Sequence, residues 1–513
     1  MQKKLLKNEK TKILVSYIVF RFLPIYQMAK EDFRLIGRRE ECLELERCLS
    51  LTKPQLILVY GRRRVGKTYL VDTYFDNKFT FKFTGVHKLS EDKQLLNFSN
   101  ELAHYSKKKA RPLADWTEAF FALRDYLDRF DDEEKKIVFI DELPWLDNGS
   151  GSFLKAFEYF WNQYANTKKN LVFIAAGSNT SYLLNKFIRG KGGFYKRVTS
   201  KIRVSPFTLL ETEEFLNSVN IQWDRRDIVD CYMTLGGLPY YLQHLRPNLS
   251  PSANIDWLLF NEDGPLYGEF AELYETLFKH SAKYVAIMER ICLARYGLTS
   301  EDIAGFLGKK ATDGSVSSKL KALCDCGFLK EYSSYLDGRK RTLYRCADYF
   351  TFFYLRFVRD HQGKDPHFWS SMIQTPARIS YEGYAFEWIC FDSNESIKKA
   401  LGISGVLSDV YTWTNRNDDQ GAHIDMVIDR HDRIANLCEI KYTSKPYEIS
   451  KEEWWGLSGK IEAFMAAQKA RKTVFLTIVS AEGLKKTGYA SRVNQVATLD
   501  DLFSYQKSKI PSF

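Results

Sequence analysis

Residues 55–71 read QLILVYGRRRVGKTYLV. An apolar run, Leu56 to Tyr60, leads straight into Gly61-Arg62-Arg63-Arg64-Val65-Gly66-Lys67-Thr68-Tyr69, the strand–GxxxxGK[ST]–helix pattern. Gly61 and Gly66 let the backbone curl so that its N–H groups face a phosphate chain, and the helix beginning at Lys67 adds the positive end of its dipole. Lys67 then reaches the outer phosphates, and the Thr68 hydroxyl faces a Mg²⁺ ion. Gly61 to Tyr69 are therefore the expected ATP-binding loop.

Such a loop needs acidic partners on a neighbouring strand. KKIVFIDELPWLD, residues 135–147, supplies a second apolar run ending in Asp141 and Glu142. A continuous apolar strand fits the centre of a parallel sheet covered on both faces, with its carboxyl end opening onto the ligand. Asp141 is expected in the magnesium shell and Glu142 as the group that orients the attacking water. A third run, NLVFIAAGSN (residues 170–179), ends in Ser178 and Asn179, polar groups placed to sense the outermost phosphate from an adjacent strand.

With these pieces the chain resembles the AAA+-like ATPases of the archaeal and bacterial ATP-binding protein type, close to the STAND NTPases. The resemblance runs over roughly residues 33–245 and includes FRLIGRREE (33–41), AAGSNTSYL (175–183), VSPFTLLETEEFL (204–216) and GGLPYYL (236–242). It implies that Ile36 to Arg38 lie near the adenine and that Gly236 to Tyr240 belong to a helical lid. In FYKRVTSKIRVSPF, Lys196 stands where the family often has glycine. Arg197 is then either the arginine finger or a solvated basic residue.

The 513 residues exceed one hydrophobic core and predict several domains. At 45% apolar and 27% charged residues the chain is globular rather than disordered, and its net charge of +11 suits an anionic partner. The nine cysteines form no CxxC pair, which points to reduced thiols in a cytoplasmic protein. Residues 1–27 hold a short apolar run broken by Arg21 and Pro24, too short to span a membrane, and Met28 is the expected domain start. Residues 1–27 are accordingly read as an extension, not native to the domain or dispensable to it.

From residue 280 the pattern changes to short amphipathic helices. LTSEDIAGFLG (298–308) opens on a Thr/Ser cap with acidic residues in its first turn. GSVSSKLKALCDCGFLKE (314–331) places Val316, Leu320 and Leu323 on one helical face, and FLKEYSSYLDGRKRTLYRC (328–346) makes a hairpin with a basic turn at Gly338 to Arg341. Helix, turn, helix and hairpin make a winged helix, which either contacts DNA or joins domains. DYFTFFYLRFV (348–358) is expected as an aromatic core seam.

HIDMVIDRHDRIANLCEIKYT, residues 423–443, is two short strands with charges inside them. By period-2 alternation Ile424, Met426 and Ile428 share one face of the first strand, and Cys438 and Ile440 one face of the second. A turn centred on Asp432 sets Asp425 opposite Glu439, where two carboxylates repel unless a cation lies between them. Oxygen ligands without His or Cys suit Mg²⁺ or Mn²⁺, and Lys441 points into the same site. Asp, then Glu-x-Lys, on a hairpin resembles the PD-(D/E)XK nuclease superfamily, which implies a preceding helical acid. SYEGYAFEWIC (380–390) offers Glu387, with Glu382 second. The resemblance implies that Asp425, Glu439 and Glu387 hold the metal and that Lys441 assists the water; the competing reading is a solvated sheet face.

The expected architecture is α/β: a P-loop NTPase (AAA+-like) parallel sheet at 28–205, a helical lid at 206–279, a winged helix at 280–360 and a restriction-endonuclease-like α/β domain at 361–513. The expected function is ATP hydrolysis that drives or gates a Mg²⁺-dependent DNA nuclease, or an ATP-controlled switch that binds DNA or protein without cutting. ATP, DNA and further copies of the chain are the expected partners, and a membrane is not.

Overall fold

In a computed structural model, residues 35–504 are described, apart from 132, 148, 191, 192, 195, 295, 311, 312, 416–420 and 469–471. The segment 1–27 therefore lies outside the described residues, as do both outer ends of the expected domains. The three apolar runs become parallel strands β1 (Gln55–Tyr60), β3 (Lys136–Asp141) and β4 (Leu171–Gly177), joined by β2 (Phe81–Thr84) and β5 (Ser200–Arg203) in the order β2-β3-β4-β1-β5. Alternation sorts their side chains between two covering layers. Ile57, Val59, Phe139 and Ile174 pack towards the helices Arg39–Ser50 and Lys67–Tyr74, and Leu58, Val138, Ile140 and Phe173 towards Glu91–Ser106, Trp116–Leu127 and Ser152–Gln163. Because β4 runs between β1 and β3, with Gly177 level with Tyr60, its carboxyl end emerges between the phosphate loop and the acidic pair.

The helices that follow, such as Leu209–Ser218 and Arg225–Leu235, carry the first apolar core onward without a break. The first of these begins with a capping box between Thr208 and Glu211. The same core takes in the buried aromatics Phe350, Phe353 and Tyr381 and reaches Met426 and Cys438. The 348–358 stretch is thus part of the seam that joins the two halves of the molecule.

The helices Ser300–Phe306 and Gly314–Asp325 have the capping box (Thr299 with Asp302) and the buried face (Val316, Leu320, Leu323) read from sequence. The next hairpin, β6 (Leu329–Leu336) and β7 (Arg339–Cys346), does not stand apart from the C-terminal strands. It forms the edge of a seven-stranded mixed sheet with β8 (Ser408–Asn415), β9 (Ala422–Arg430), β10 (Ile434–Lys441), β11 (Thr473–Ser480) and β12 (Gln495–Thr498). The order is β12-β11-β10-β9-β8-β6-β7, with β6 parallel to β8 from Ser333–Tyr411 to Leu336–Thr414. Pairing with β8 satisfies the backbone groups on the inner side of β6, which a free wing would leave to water.

In β9 and β10 the pairs run from Ala435–Asp429 to Cys438–Met426, the register of a turn centred on Asp432. The assignment of Ile424 needs correction. Tyr411 pairs with Val427 but Trp413 with Ile424, so Thr412 faces both Asp425 and Met426 across a bulge. The extra residue reverses the alternation. Ile424 packs with Tyr411, Trp413, Val427 and Leu437, while Met426 and Ile428 join the large core.

Candidate functional site

At the carboxyl ends of β1, β3 and β4 the motif residues converge. Gly61 must be glycine because a Cβ there would meet the Val204 carbonyl oxygen at 2.1 Å, and Gly66, with φ +85°, turns the loop into the helix Lys67–Tyr74. Lys67 is buried, and its ammonium donates to the carbonyls of Gly61 (3.1 Å) and Arg62 (3.0 Å) and to Ser178 Oγ (3.0 Å). Ser178 in turn donates from Oγ (2.5 Å) and from its backbone N–H (3.1 Å) to the Glu142 carboxylate. Beside this chain, Thr68 Oγ1 donates to Asp141 Oδ2 at 2.6 Å. Glu142 holds its position in left-handed backbone, φ +45°, the kind of strain that collects at functional sites. Burial, and then the Glu142 charge, raise the Asp141 carboxyl above its ordinary range, while burial lowers the Lys67 ammonium against the pull of Glu142 and Asp141.

The three loop arginines, expected with the phosphate-binding residues, send their side chains elsewhere. Arg62 forms a fully buried two-pronged pair with Asp348 (2.8 and 3.0 Å) and lies over the Phe328 ring. Arg63 pairs with Glu272 at 2.6 Å, and Arg64 grips Glu269 (3.0 and 2.8 Å) while stacking on Tyr240. At these positions only the loop backbone remains for a nucleotide. Val65 is fully buried and Tyr69 is exposed. Arg38 supports the loop from the other side, donating to the Val65 carbonyl (2.8 Å) and the Ser205 carbonyl (2.7 Å). The GGLP segment reaches the loop as well, the Tyr240 N–H donating to the Arg64 carbonyl at 3.5 Å. Arg197 lies half-buried in the turn before β5, its N–H donating to the Phe194 carbonyl.

The second predicted site assembles differently. Glu439 is buried, but both of its oxygens accept from lysines: Oε1 from Lys441 at 2.8 Å and Oε2 from Lys460 at 2.7 Å. Burial alone would raise this carboxyl; the two ammonium charges, Lys460 first, outweigh it and hold the group below the ordinary glutamate range. Asp425, turned by the bulge, accepts from the Ile440 N–H at 2.8 Å. Burial and then Glu439 push its carboxyl up. Glu387 comes from the helix Pro376–Asp392 and shares with Asp425 a cavity of about 490 Å³, also lined by Thr412, His423, Arg341 and Trp388. Glu382, the second choice, is engaged by Arg378 at 2.6 Å.

The structure brings Glu387 and Asp425 to one cavity and gives Glu439 two lysine partners. Among the described residues no group of three His, Cys, Asp or Glu side chains is placed to hold a metal ion, and two ammonium groups stand on Glu439 where a divalent cation was expected. Lys460 was missed because it belongs to a separate helix, Lys451–Ala467, 21 residues beyond Glu439. The Arg62–Asp348 pair, 286 residues apart, left no local signal either.

Residues 35–245 match the model of an ATPase domain found predominantly in Archaea. The chain is 24% identical over 414 residues to an uncharacterized protein of Methanocaldococcus jannaschii, covering 79% of this chain and 87% of that one. It is 49% identical over 43 residues to an uncharacterized ATP-binding protein of the same organism, covering 8% of this chain and 73% of that one. Among solved structures, a Walker-type ATPase of Pyrococcus abyssi is similar at 21% identity and a TM-score of 0.44, over 64% of this chain and 97% of that one. The Aeropyrum pernix ORC2 protein in its ADPNP–ADP complexes is similar at 14% identity and a TM-score of 0.40, over 64% and 96%. The first half of the chain carries an α/β domain of the P-loop ATPase type. No helix among the described residues is long and apolar enough to cross a membrane.

Proposed function

We propose that the chain binds and hydrolyses ATP at Gly61–Thr68 and uses the nucleotide to control how its C-terminal sheet engages DNA. The reading rests on one observation, the bonded chain Lys67–Ser178–Glu142 beside Thr68–Asp141. Lys67 neutralises charge on the outer phosphates, and Glu142 accepts from and orients the water that attacks. Ser178 ties these two groups together, so a shift of one is felt by the other. Thr68 and Asp141 form a hard-oxygen pair that fits Mg²⁺, which when bound would supply further charge neutralisation at the phosphates. Arg197 is proposed as a finger acting on a neighbouring copy of the chain. Lys67→Ala should lower ATP turnover about 10²–10³-fold, and a variant that still hydrolyses ATP at the wild-type rate would sink this reading.

For the C-terminal sheet, the lysine-capped Glu439 favours binding of DNA without cutting over the metal-dependent nuclease. Each Glu439 oxygen accepts from one lysine, and the two ammonium charges disfavour a divalent cation beside them. Wild type and Lys441→Ala are to be compared on supercoiled and linear DNA with Mn²⁺ and ATP. Equal absence of cleavage supports binding alone; cleavage by wild type that Lys441→Ala loses restores the nuclease.

A further inference from the structure

We propose that Lys441 and Lys460, held on the two oxygens of the buried Glu439 carboxylate, form a clamp for a phosphate group, supplied by a nucleic-acid backbone. The source of the phosphate rests on the reading that DNA is the partner; the clamp itself does not.

Each ammonium group carries three donors, and one on each is committed to Glu439. The Lys441 side chain is 33% exposed and that of Lys460 29%, while the Glu439 side chain is only 10% exposed. Two positive charges on one negative charge leave an excess at the surface. The Lys441 head also lies 5.7 Å from the centre of the Tyr447 ring, whose hydroxyl donates to Glu453 at 3.1 Å. Of the acids nearby, Asp425 is turned to the Ile440 N–H and Glu453 accepts from the Tyr447 hydroxyl. With two ammonium groups on one carboxylate, the cluster is thus suited to an oxyanion. Lysine ammonium groups are compact charges that bind phosphate without needing a planar partner.

Topology favours a backbone over a free anion. β10 is antiparallel to β9, β9 to β8, and β8 parallel to β6, so Lys441 at the end of β10 lies at the same end of the sheet as the β6–β7 turn. That turn exposes Arg339 and Lys340. Four strand spacings separate β10 from β7, about 19 Å in all. A duplex laid across this end would meet the basic turn and the clamp together, several phosphates apart.

The test uses the full chain and acetylation of lysines read by mass spectrometry. A duplex oligonucleotide should lower labelling of Lys441 and Lys460 several-fold while leaving the distant Lys107 unchanged. Lys460→Gln should lower the slope of log affinity against log salt by about one, with Lys460→Arg restoring it. If DNA binds but neither lysine is protected, the clamp is overturned and the DNA reading stands. If inorganic phosphate protects both and no oligonucleotide does, the clamp stands as a small-anion site and the DNA reading falls. If Mg²⁺ or Mn²⁺ alone raises labelling of both, Glu439 is a metal ligand and the clamp is overturned.

Discussion

Both sheets gather charged side chains at one end, but they hold them by opposite means. At the ends of β1, β3 and β4, Lys67 and Thr68 are fixed by bonds to loop carbonyls, Ser178 and Asp141, so that the positive and negative groups meet through hydroxyls. At the end of β10, Glu439 and its two lysines bond directly and largely satisfy one another. The first arrangement keeps charges poised for a ligand that brings its own phosphates and metal. The second has already met its demand for charge, and only a small positive excess is left for a partner. On the proposed reading the first site is fitted to chemistry and the second to attachment.

Lys67→Ala is the strongest way to break this contrast. Removing a group that meets the developing charge should cost about 10²–10³-fold in ATP turnover. If attachment is separate from chemistry, the same variant should bind DNA without ATP as wild type does, checked by titration with a labelled duplex. The next largest effect concerns the strap between the regions. Arg62 and Asp348 are 4% and 1% exposed, and Arg62→Ala would leave a buried carboxylate unpaired, at a cost of roughly 3–5 kcal/mol in chemical denaturation. Replacing both by apolar residues of similar volume should recover most of that stability. ATP should then no longer alter DNA affinity, because the phosphate loop has lost its grip on the segment leading into the second half.

The contrast also explains which features could be read from the residues alone. The phosphate site lies in contiguous stretches whose roles follow from backbone demands: Gly61 from the Val204 carbonyl, and Asp141 and Ser178 from strands that must be parallel neighbours. The hairpin register was legible because its turn fixes it, and so was the buried face of Val316, Leu320 and Leu323. The features that were not legible depend on contacts far apart in sequence. Lys460 comes from another helix, and Arg62, Arg63 and Arg64 find partners more than 200 residues away. The bulge at Asp425 arises from pairing with β8, a strand outside the hairpin, and it re-aims the residue that period 2 had placed.

A smaller effect sharpens the electrostatic side. The Asp425 carboxyl is held above the usual aspartate range by burial first and Glu439 second. A raised acid contributes stability that is complete below its ordinary range and is lost as pH rises through the raised value. Asp425→Asn keeps an acceptor for the Ile440 N–H and carries no charge. It should match wild type in acid and exceed it in alkali by roughly 2 kcal/mol, seen in thermal melts at about pH 3 and about pH 9.

The smallest effect separates the clamp from the motif that suggested it. Lys460 rides on the helix Lys451–Ala467, whose start is fixed by the Ser450–Glu453 capping box and whose Phe464 packs against Val427 and Leu437. Ser450→Ala removes one cap bond, worth about 1 kcal/mol. Because Phe464 anchors the far end, the loss should stay in the first turn. Amide exchange there should speed up about fivefold, while labelling of Lys460 and ATP turnover stay at wild-type values. If Lys460 labelling rose along with exchange, the helix would be positioned by its cap rather than by its packing, and the C-terminal cluster would be as dependent on local sequence as the phosphate loop is.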